Sequence, residues 1–170
     1  ACKWDTIIPF EPLWKEYKRI IKDNGAIVLT ASQPFTSALV MSNVKMFKYE
    51  WIWEKDRPSN PLVANKRVMP RHENVCVFYN SHPTYNPQKT KGNPYNGRRN
   101  PIATSEWNYG KTRNDNDGDR YPRSVFYEKT GDRNGSIHPT AKPIEVYEML
   151  IKTYTNEGET VLDIAMGSGT

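Results

Sequence analysis

An acid followed by a glycine turn closes the sequence. Asp163 ends an apolar run, Ile164 comes directly after it, and Gly167 and Gly169 follow. Glycines let bare backbone approach a ligand, and open α/β sheets bind ligands where their strands end. A carboxylate there can pair with an ammonium group, such as that of a cofactor with an amino acid moiety. A plain tight turn explains the same residues equally well.

The glycine turn is a weaker match to a phosphate-binding loop. A loop of the Walker type places a Lys after its last glycine, because that ammonium group binds the phosphates. Here the position holds Thr170, and the turn contains no basic residue. A P-loop-like nucleotide hydrolase is therefore the less favoured alternative.

A second set of polar residues comes just before a predicted helix. His138, Thr140 and Lys142 precede Pro143, so a hydroxyl, an ammonium group and free helix-terminal amides could converge on a carboxylate. A capped helix with a proline-stiffened entry explains the same residues, and from the residues alone it is the favoured interpretation.

The positive charge of the chain is concentrated in one segment. Residues 85–133 contain ten Lys and Arg against six Asp and Glu, a surplus of +4 within a chain total of +5. Such cations can neutralise phosphates, while aromatic side chains can reach bases. A solvated polar loop is the alternative. The candidate DNA-binding cations are Lys89, Lys91, Arg98, Arg99, Lys111, Arg113, Arg120 and Arg123, interleaved with Tyr95, Trp107, Tyr109 and Tyr121.

Alternating helices and strands must position these residues. Apolar residues at helical spacing from Leu13 to Ile21 predict a helix that stops before Gly25, and the apolar run at 26–31 predicts a strand covered on both faces. Ser32 as a capping residue, with the proline two residues later, predicts a second helix that ends near Ser42.

Two further strands are predicted after the second helix. In residues 46–54 the alternation puts Phe47, Tyr49, Trp51 and Trp53 on one face of a half-buried strand. A polar loop follows, and residues 75–79 predict the next strand. Helix and buried strand in alternation predict a parallel-dominated sheet with helices on both faces.

The last third of the chain departs from this pattern and then returns to it. Residues 80–135 are rich in Pro, Asn, Gly and Asp and predict an irregular insertion. Beyond it, residues 144–154 predict a third helix, and residues 160–164 predict a strand that runs into the glycine turn.

Composition excludes several classes of protein. A chain of 170 residues suits one α/β domain, and Cys2 and Cys76 lack the spacing of a zinc site, so we expect a reduced, cytoplasmic protein without metal. We find neither an apolar run long enough to span a membrane nor a signal peptide, so no membrane partner is predicted. The abrupt ends suggest a fragment.

The two motifs together resemble one family. His138-Pro139-Thr140-x-Lys142-Pro143, followed by Leu162-Asp163 and Gly167-Ser168-Gly169-Thr170, is similar to the β-group of S-adenosylmethionine-dependent DNA amino-methyltransferases. Agreement in order extends over nearly the whole chain. The other similar segments are Trp4-Asp5, Asp23-Asn24-Gly25, Ser32-Gln33-Pro34-Phe35 and residues 49–55.

The resemblance implies a fold, a cofactor and a partner. The fold is a Rossmann-like methyltransferase sheet, truncated, with residues 1–79 in the catalytic region, 80–135 as a DNA target-recognition insertion and 136–170 as the start of the cofactor region. The partner is double-stranded DNA, and a cognate restriction nuclease is a possible second one. The residues implied for S-adenosylmethionine are Asp163, Ile164, Gly167, Gly169, His138, Thr140 and Lys142.

One motif of the family is missing from these residues. The Asp/Asn-Pro-Pro-Tyr motif, expected just before Cys2, holds the amine of a flipped base in the resembling enzymes. We therefore assign no catalytic residue and expect no methyl transfer by this chain alone. Relatives also carry Gln where this sequence has Ala141, and an aromatic residue where it has Ile164 and Ala165.

The sequence therefore predicts a fragment of a site-specific DNA methyltransferase. Its resemblance implies transfer of a methyl group to the exocyclic amine of adenine, with cytosine N4 less favoured. The alternative from a different class is a non-catalytic basic nucleic-acid-binding module that uses residues 85–133.

Overall fold

The chain is divided into two compact units. The computed structural model describes residues 6–98, 113–130 and 141–166. The larger unit consists of Ala1–Asn86 and Arg123–Thr170, and the smaller one of Pro87–Pro122. The smaller unit has narrower bounds than the predicted insertion at 80–135, and the assignment of the three segments to functions stays a prediction.

The larger unit carries the predicted alternation of helices and strands. The helices are α1 (Phe10–Ile20), α2 (Phe35–Ser42) and α3 (Ile144–Tyr154), and the strands are β1 (Ile27–Ala31), β2 (Phe47–Glu54), β3 (His72–Phe78) and β8 (Val125–Tyr127). The predicted order of α, β, α, β, loop and β is confirmed, and so is the third helix.

The sheet of the larger unit has the order β1-β3-β2-β8. β3 is antiparallel to both β1 and β2, and β2 is parallel to β8. The expectation of a parallel-dominated sheet is therefore wrong. Parallel neighbours need a crossover, usually a helix, whereas β2 and β3 are joined by a loop with a single 3-10 turn at Pro61–Val63.

Helices cover both faces of this sheet, as predicted, and the α/β class is confirmed. Side chains alternate along the central strand β3. Cys76 and Phe78 pack with Trp14 of α1 and Leu39 of α2, whereas Val75 and Val77 pack with α3. β3 is therefore the strand buried on both faces, a role that the sequence suggested for β1.

The alternation along β2 is interrupted near its start. Trp51 and Trp53 pack with α3, but Phe47 packs with the opposite cluster, beside Phe78. The register shifts between Phe47 and Tyr49, as in a β-bulge. Because an extra residue reverses the side-chain alternation, the prediction that Phe47 shares a face with the tryptophans is wrong.

The predicted strand at residues 160–164 is absent from the structure. Residues 160–163 have no strand conformation, and Val161, Leu162 and Ile164 are exposed. An apolar run becomes a strand only where a neighbour supplies backbone partners and apolar cover, and the described chain supplies neither here. The prediction of a strand ending in Asp163 is therefore wrong for this structure.

The start of α2 also differs from expectation. The helix begins at Phe35 after Pro34, and its first turn is bound by Gln33, whose side-chain oxygen accepts a hydrogen bond of 2.8 Å from the Ser37 hydroxyl. Ser32 contributes its backbone carbonyl, which accepts from the Thr36 amide at 3.1 Å. The N-cap residue is thus Pro34, which forms no side-chain capping bond, and not Ser32.

The smaller unit is built from two short antiparallel pairs. β4 (Thr90–Lys91) pairs with β7 (Asp119–Arg120), and β5 (Tyr95–Arg98) pairs with β6 (Arg113–Asn116). Gly118 has a φ of +104°, and a Cβ at this position would clash with the Gly92 carbonyl. This close backbone approach requires glycine there. Among the described residues of the whole chain, no helix has the length and apolarity needed to cross a bilayer.

Candidate functional site

Polar residues gather at one edge of the larger sheet, which we call the carboxyl edge. There β1, β2 and β8 end and β3 begins, because β3 runs opposite to its neighbours. Open α/β sheets bind ligands where parallel strands end. The polar residues found at or next to this edge are Gln33, Lys55, Asp56, Glu73, Thr130 and Lys142.

Glu73 is the centre of an ion network at the carboxyl edge. Its two carboxylate oxygens bind different cations, with Lys55 Nζ at 2.5 Å and Lys142 Nζ at 3.3 Å. Lys55 is buried, and its ammonium also lies 5.0 Å from the ring centre of Trp53. The network therefore connects Lys142, two positions before α3, to the start of β3.

The charges around Glu73 change its acidity. Burial acts to raise the pKa of this carboxyl, but the charges and hydrogen bonds of Lys142 and Lys55 outweigh burial and hold its pKa below the ordinary value. Glu73 is therefore ionised at neutral pH, and each lysine keeps donors for another acceptor because an ammonium has three.

The end of β2 is tied to the end of β8 at the same edge. Asp56 accepts hydrogen bonds from the Thr130 hydroxyl at 2.6 Å and from the Thr130 amide at 2.8 Å. These two bonds, with help from Arg57, lower the pKa of Asp56. Asp56 is thus an acceptor whose hydrogen bonds connect the segment after β2 to the segment after β8 at the carboxyl edge.

Asp163 is exposed and keeps one carboxylate oxygen available. Its Oδ1 accepts a hydrogen bond of 2.8 Å from the Ala165 amide. Burial first, and then the charge of Asp163, raises the pKa of Tyr17 on α1 and of Tyr147 on α3.

Tyr147 on α3 has a pKa that responds to acids of both regions. Burial raises its pKa most, and the charges of Asp163 and then Glu73, the partner of Lys142, add to this effect. Sequence reasoning missed Tyr147 and Glu73, because a tyrosine on an amphipathic helix and an acid in a strand carry no distinguishing signal.

The remaining predicted cofactor residues are described only in part. Ile164 is exposed directly after Asp163. His138, Thr140, Gly167 and Gly169 lie outside the described residues. The structure places Lys142 on Glu73 at the carboxyl edge and leaves Asp163 exposed, and the cofactor role of the whole predicted set stays a prediction.

Several predicted DNA-binding cations have partners within the smaller unit. Lys91 forms an ion pair with Asp119, and Lys89 lies 3.7 Å from the same carboxylate. Arg120 donates to the Asn93 carbonyl at 2.5 Å and lies 4.8 Å from the ring centre of Tyr95. These contacts hold the two strand pairs together.

The other predicted DNA-binding cations differ in position. Arg98 and Arg113 occupy facing register positions on β5 and β6. Arg123 is exposed in the larger unit, and Arg99 and Lys111 lie outside the described residues. Their predicted role stays untested by this geometry.

Cys76 lies in the core and not at the edge. Burial, helped by the charge of Glu50, raises the pKa of its thiol to about 11. It is thus a buried, protonated side chain at neutral pH. In the part of the chain that the structure describes, no three His, Cys, Asp or Glu side chains are grouped as a metal ion requires.

Comparison with known proteins identifies a family whose model matches almost the whole chain. A family model for N6/N4 methyltransferases, described as DNA methylase, matches residues 3–170. The type II methyltransferase M.HpaI of Haemophilus parainfluenzae is 27% identical over 177 residues, which cover 96% of this chain and 50% of that protein. The chain therefore spans about half the length of this curated relative.

A solved structure has a similar fold. The crystal structure of the M1.HpyAVI–SAM complex matches with a TM-score of 0.55 and 17% sequence identity, over 94% of this chain and 65% of that one. At this identity the likeness concerns the fold, and it supports the α/β methyltransferase architecture of the larger unit.

Proposed function

Since this chain belongs to the N6/N4 family of DNA methylases, we propose that it is part of an enzyme that transfers a methyl group from S-adenosylmethionine to an exocyclic amine in DNA. The observation that carries the proposal is the family match over residues 3–170, and the ion pair that holds Lys142 on Glu73 at the carboxyl edge supports it. Adenine N6 is the proposed target, and cytosine N4 is the alternative.

The charges of Asp163 and Lys142 fit the amino acid end of this cofactor. Asp163 offers an exposed carboxylate for the ammonium group, and Lys142 has donors beyond its bond to Glu73 for the carboxylate. By resemblance, His138 and Thr140 close the same end, and Ile164, Gly167 and Gly169 border the cofactor. When bound, the cofactor supplies an electrophilic methyl group.

Positioning accounts for most of the catalytic effect in this proposal. Methyl transfer to an amine lone pair requires alignment with the sulfonium methyl, and no strong base must act before the attack. Consistent with this, the titratable groups at the carboxyl edge are engaged in ion pairs and hydrogen bonds. Their role in the proposal is to bind and orient.

Double-stranded DNA is the proposed substrate of the complete enzyme. The positive surplus of residues 85–133 supports this proposal, as does the name of the family. A cognate restriction nuclease is the second partner that the sequence resemblance implies, and we include it only as part of the proposal.

Methyl transfer by the full-length protein tests the proposed function. We expect tritium from labelled S-adenosylmethionine to appear in duplex DNA as N6-methyladenine, and nucleoside chromatography distinguishes this product from N4-methylcytosine. The 170 residues alone, which lack the Asp/Asn-Pro-Pro-Tyr motif, serve as the control and should transfer none. DNA binding by the full-length protein without any methyl product would favour the non-catalytic module.

Cofactor affinity tests the two residues proposed to bind it. Asp163→Ala and Lys142→Ala in the full-length protein should each weaken S-adenosylmethionine binding by about 10- to 150-fold, the effect of losing one charge-assisted hydrogen bond of about 1.5–3 kcal/mol. Calorimetric titration measures the affinity. Lys152→Ala, which removes a lysine on α3 paired only with Glu148 at the surface, is the matched control. Unchanged affinity in both site variants would remove these residues from the pocket.

A further inference from the structure

The loop between β2 and β3 is predominantly cationic. This β2–β3 loop, residues 55–71, contains Lys55, Arg57, Lys66, Arg67 and Arg71 against the single acid Asp56, and no acid occurs from residue 57 to residue 72. Lys66 and Arg67 are exposed and form no ion pair with any residue that the structure describes. Their charges are therefore directed at solvent or at a partner.

The loop is held by its own hydrogen bonds. At its base the Lys55 amide donates to the Arg71 carbonyl at 2.9 Å, and the Ser59 amide donates to the Pro70 carbonyl at 2.7 Å. In the loop tip, residues 60–69, the amides of Lys66 and Arg67 both donate to the Val63 carbonyl, at 2.9 and 3.0 Å. The two cations thus project from a folded turn whose backbone groups are paired.

Two large apolar side chains are exposed on the same loop tip. Leu62 is 88% exposed and Val68 is 89% exposed. The loop tip therefore exposes apolar side chains together with two cations, which differs from the polar composition expected of a simple connection.

We propose that the loop tip is a DNA-contacting surface in addition to the basic insertion. Lys66 and Arg67 bind phosphates, and Leu62 and Val68 pack against sugars and base edges in the adjoining groove. Proteins that bind DNA commonly combine cations on the phosphates with an apolar wedge at a base step, because the backbone is anionic and the base edges are partly apolar. By itself this surface does not distinguish one DNA sequence from another.

The position of the loop supports this partner. The loop leaves β2 and enters β3 at the carboxyl edge, the edge that carries Lys142 and Glu73. DNA presented to a methyl donor at that edge would meet the loop tip. The inference therefore rests on the proposed function, and among possible occupants the charge favours a polyanion over a second copy of this chain, whose net charge is +5.

Salt dependence tests the two cations. The double variant Lys66→Ala/Arg67→Ala of the full-length protein should bind a mixed-sequence DNA duplex with a log affinity against log salt slope that is smaller by about 1.8, since each phosphate contact contributes about 0.9. Fluorescence anisotropy measures it. Lys15→Ala/Lys18→Ala removes two exposed cations from α1 and is the control of equal charge change. Its slope of log affinity against log salt should stay close to that of the unmodified protein.

The apolar pair has a different expected signature. Leu62→Ala/Val68→Ala should weaken duplex binding by about tenfold with an unchanged salt slope, because apolar burial releases no counterions. Both side chains are so exposed that the variant should remain folded. If both loop variants bind like the unmodified protein, or if the apolar variant instead alters self-association in sedimentation velocity, the inference is overturned. If the unmodified protein binds no duplex, the proposed function itself fails.

Discussion

Replacing Glu73 by alanine is expected to lower the free energy of unfolding by about 3 kcal/mol. The carboxylate binds Lys55 and Lys142, and Lys55 is only 8% exposed. Without Glu73, a buried ammonium loses its counter-charge, and water cannot fully replace it. Urea denaturation followed by tryptophan fluorescence measures the change.

An exposed ion pair of the same residue type provides the control. Glu16 binds Arg19 Nε at 2.7 Å on α1, but both side chains are more than half exposed. Glu16→Ala should therefore cost about 1 kcal/mol or less, as solvent screens such pairs. Equal losses for Glu16→Ala and Glu73→Ala would show that burial of the Glu73 network has no energetic consequence.

The Glu73 network also makes stability depend on pH in one direction. The pKa of Glu73 is lower in the folded chain than the ordinary glutamate value of 4.5, so the unfolded chain binds the proton more readily. The stabilisation that ionised Glu73 provides is complete at pH values above its pKa in the unfolded chain. It is lost as the pH falls through the lower pKa of the folded chain. Glu73→Ala should lack this part of the acid dependence, which parallel denaturation series between neutral and acid pH would reveal.

Replacing Phe78 by alanine is the second large effect that we expect, a loss of about 3–5 kcal/mol in the free energy of unfolding. Phe78 is fully buried at the end of the central strand. Its ring centre lies 4.8 Å from that of Trp14 and 5.5 Å from that of Phe47. Removal of the ring leaves a cavity between α1 and the bulged start of β2, and chemical denaturation measures the cost.

Tyr127 is the matched aromatic at the surface. It belongs to the edge strand β8 and is 51% exposed, so Tyr127→Ala should cost only about 0.5 kcal/mol. A small effect of Phe78→Ala, similar to that of Tyr127→Ala, would contradict the assignment of β3 as the strand that joins the two apolar clusters.

Local sequence patterns were sufficient to predict the helices, most strands and the class of the fold. Helical spacing of apolar residues predicted α1 and α3, and apolar alternation predicted most of β2, because these patterns depend on neighbours along the chain. The two short motifs also indicated the family, which the match over residues 3–170 shows.

How these elements meet depends on contacts between segments that are far apart along the chain. The direction of β3 between its neighbours, the reversal at Phe47 and the absent strand at 160–164 depend on backbone partners distant in sequence. The same holds for the site. Glu73 and Lys142 are 69 positions apart, and no local pattern records that a carboxylate in a strand will be the counter-ion of a lysine before a helix. Apolar periodicity specifies which face of an element is buried, whereas the partner it is buried against is chosen by packing across the whole core.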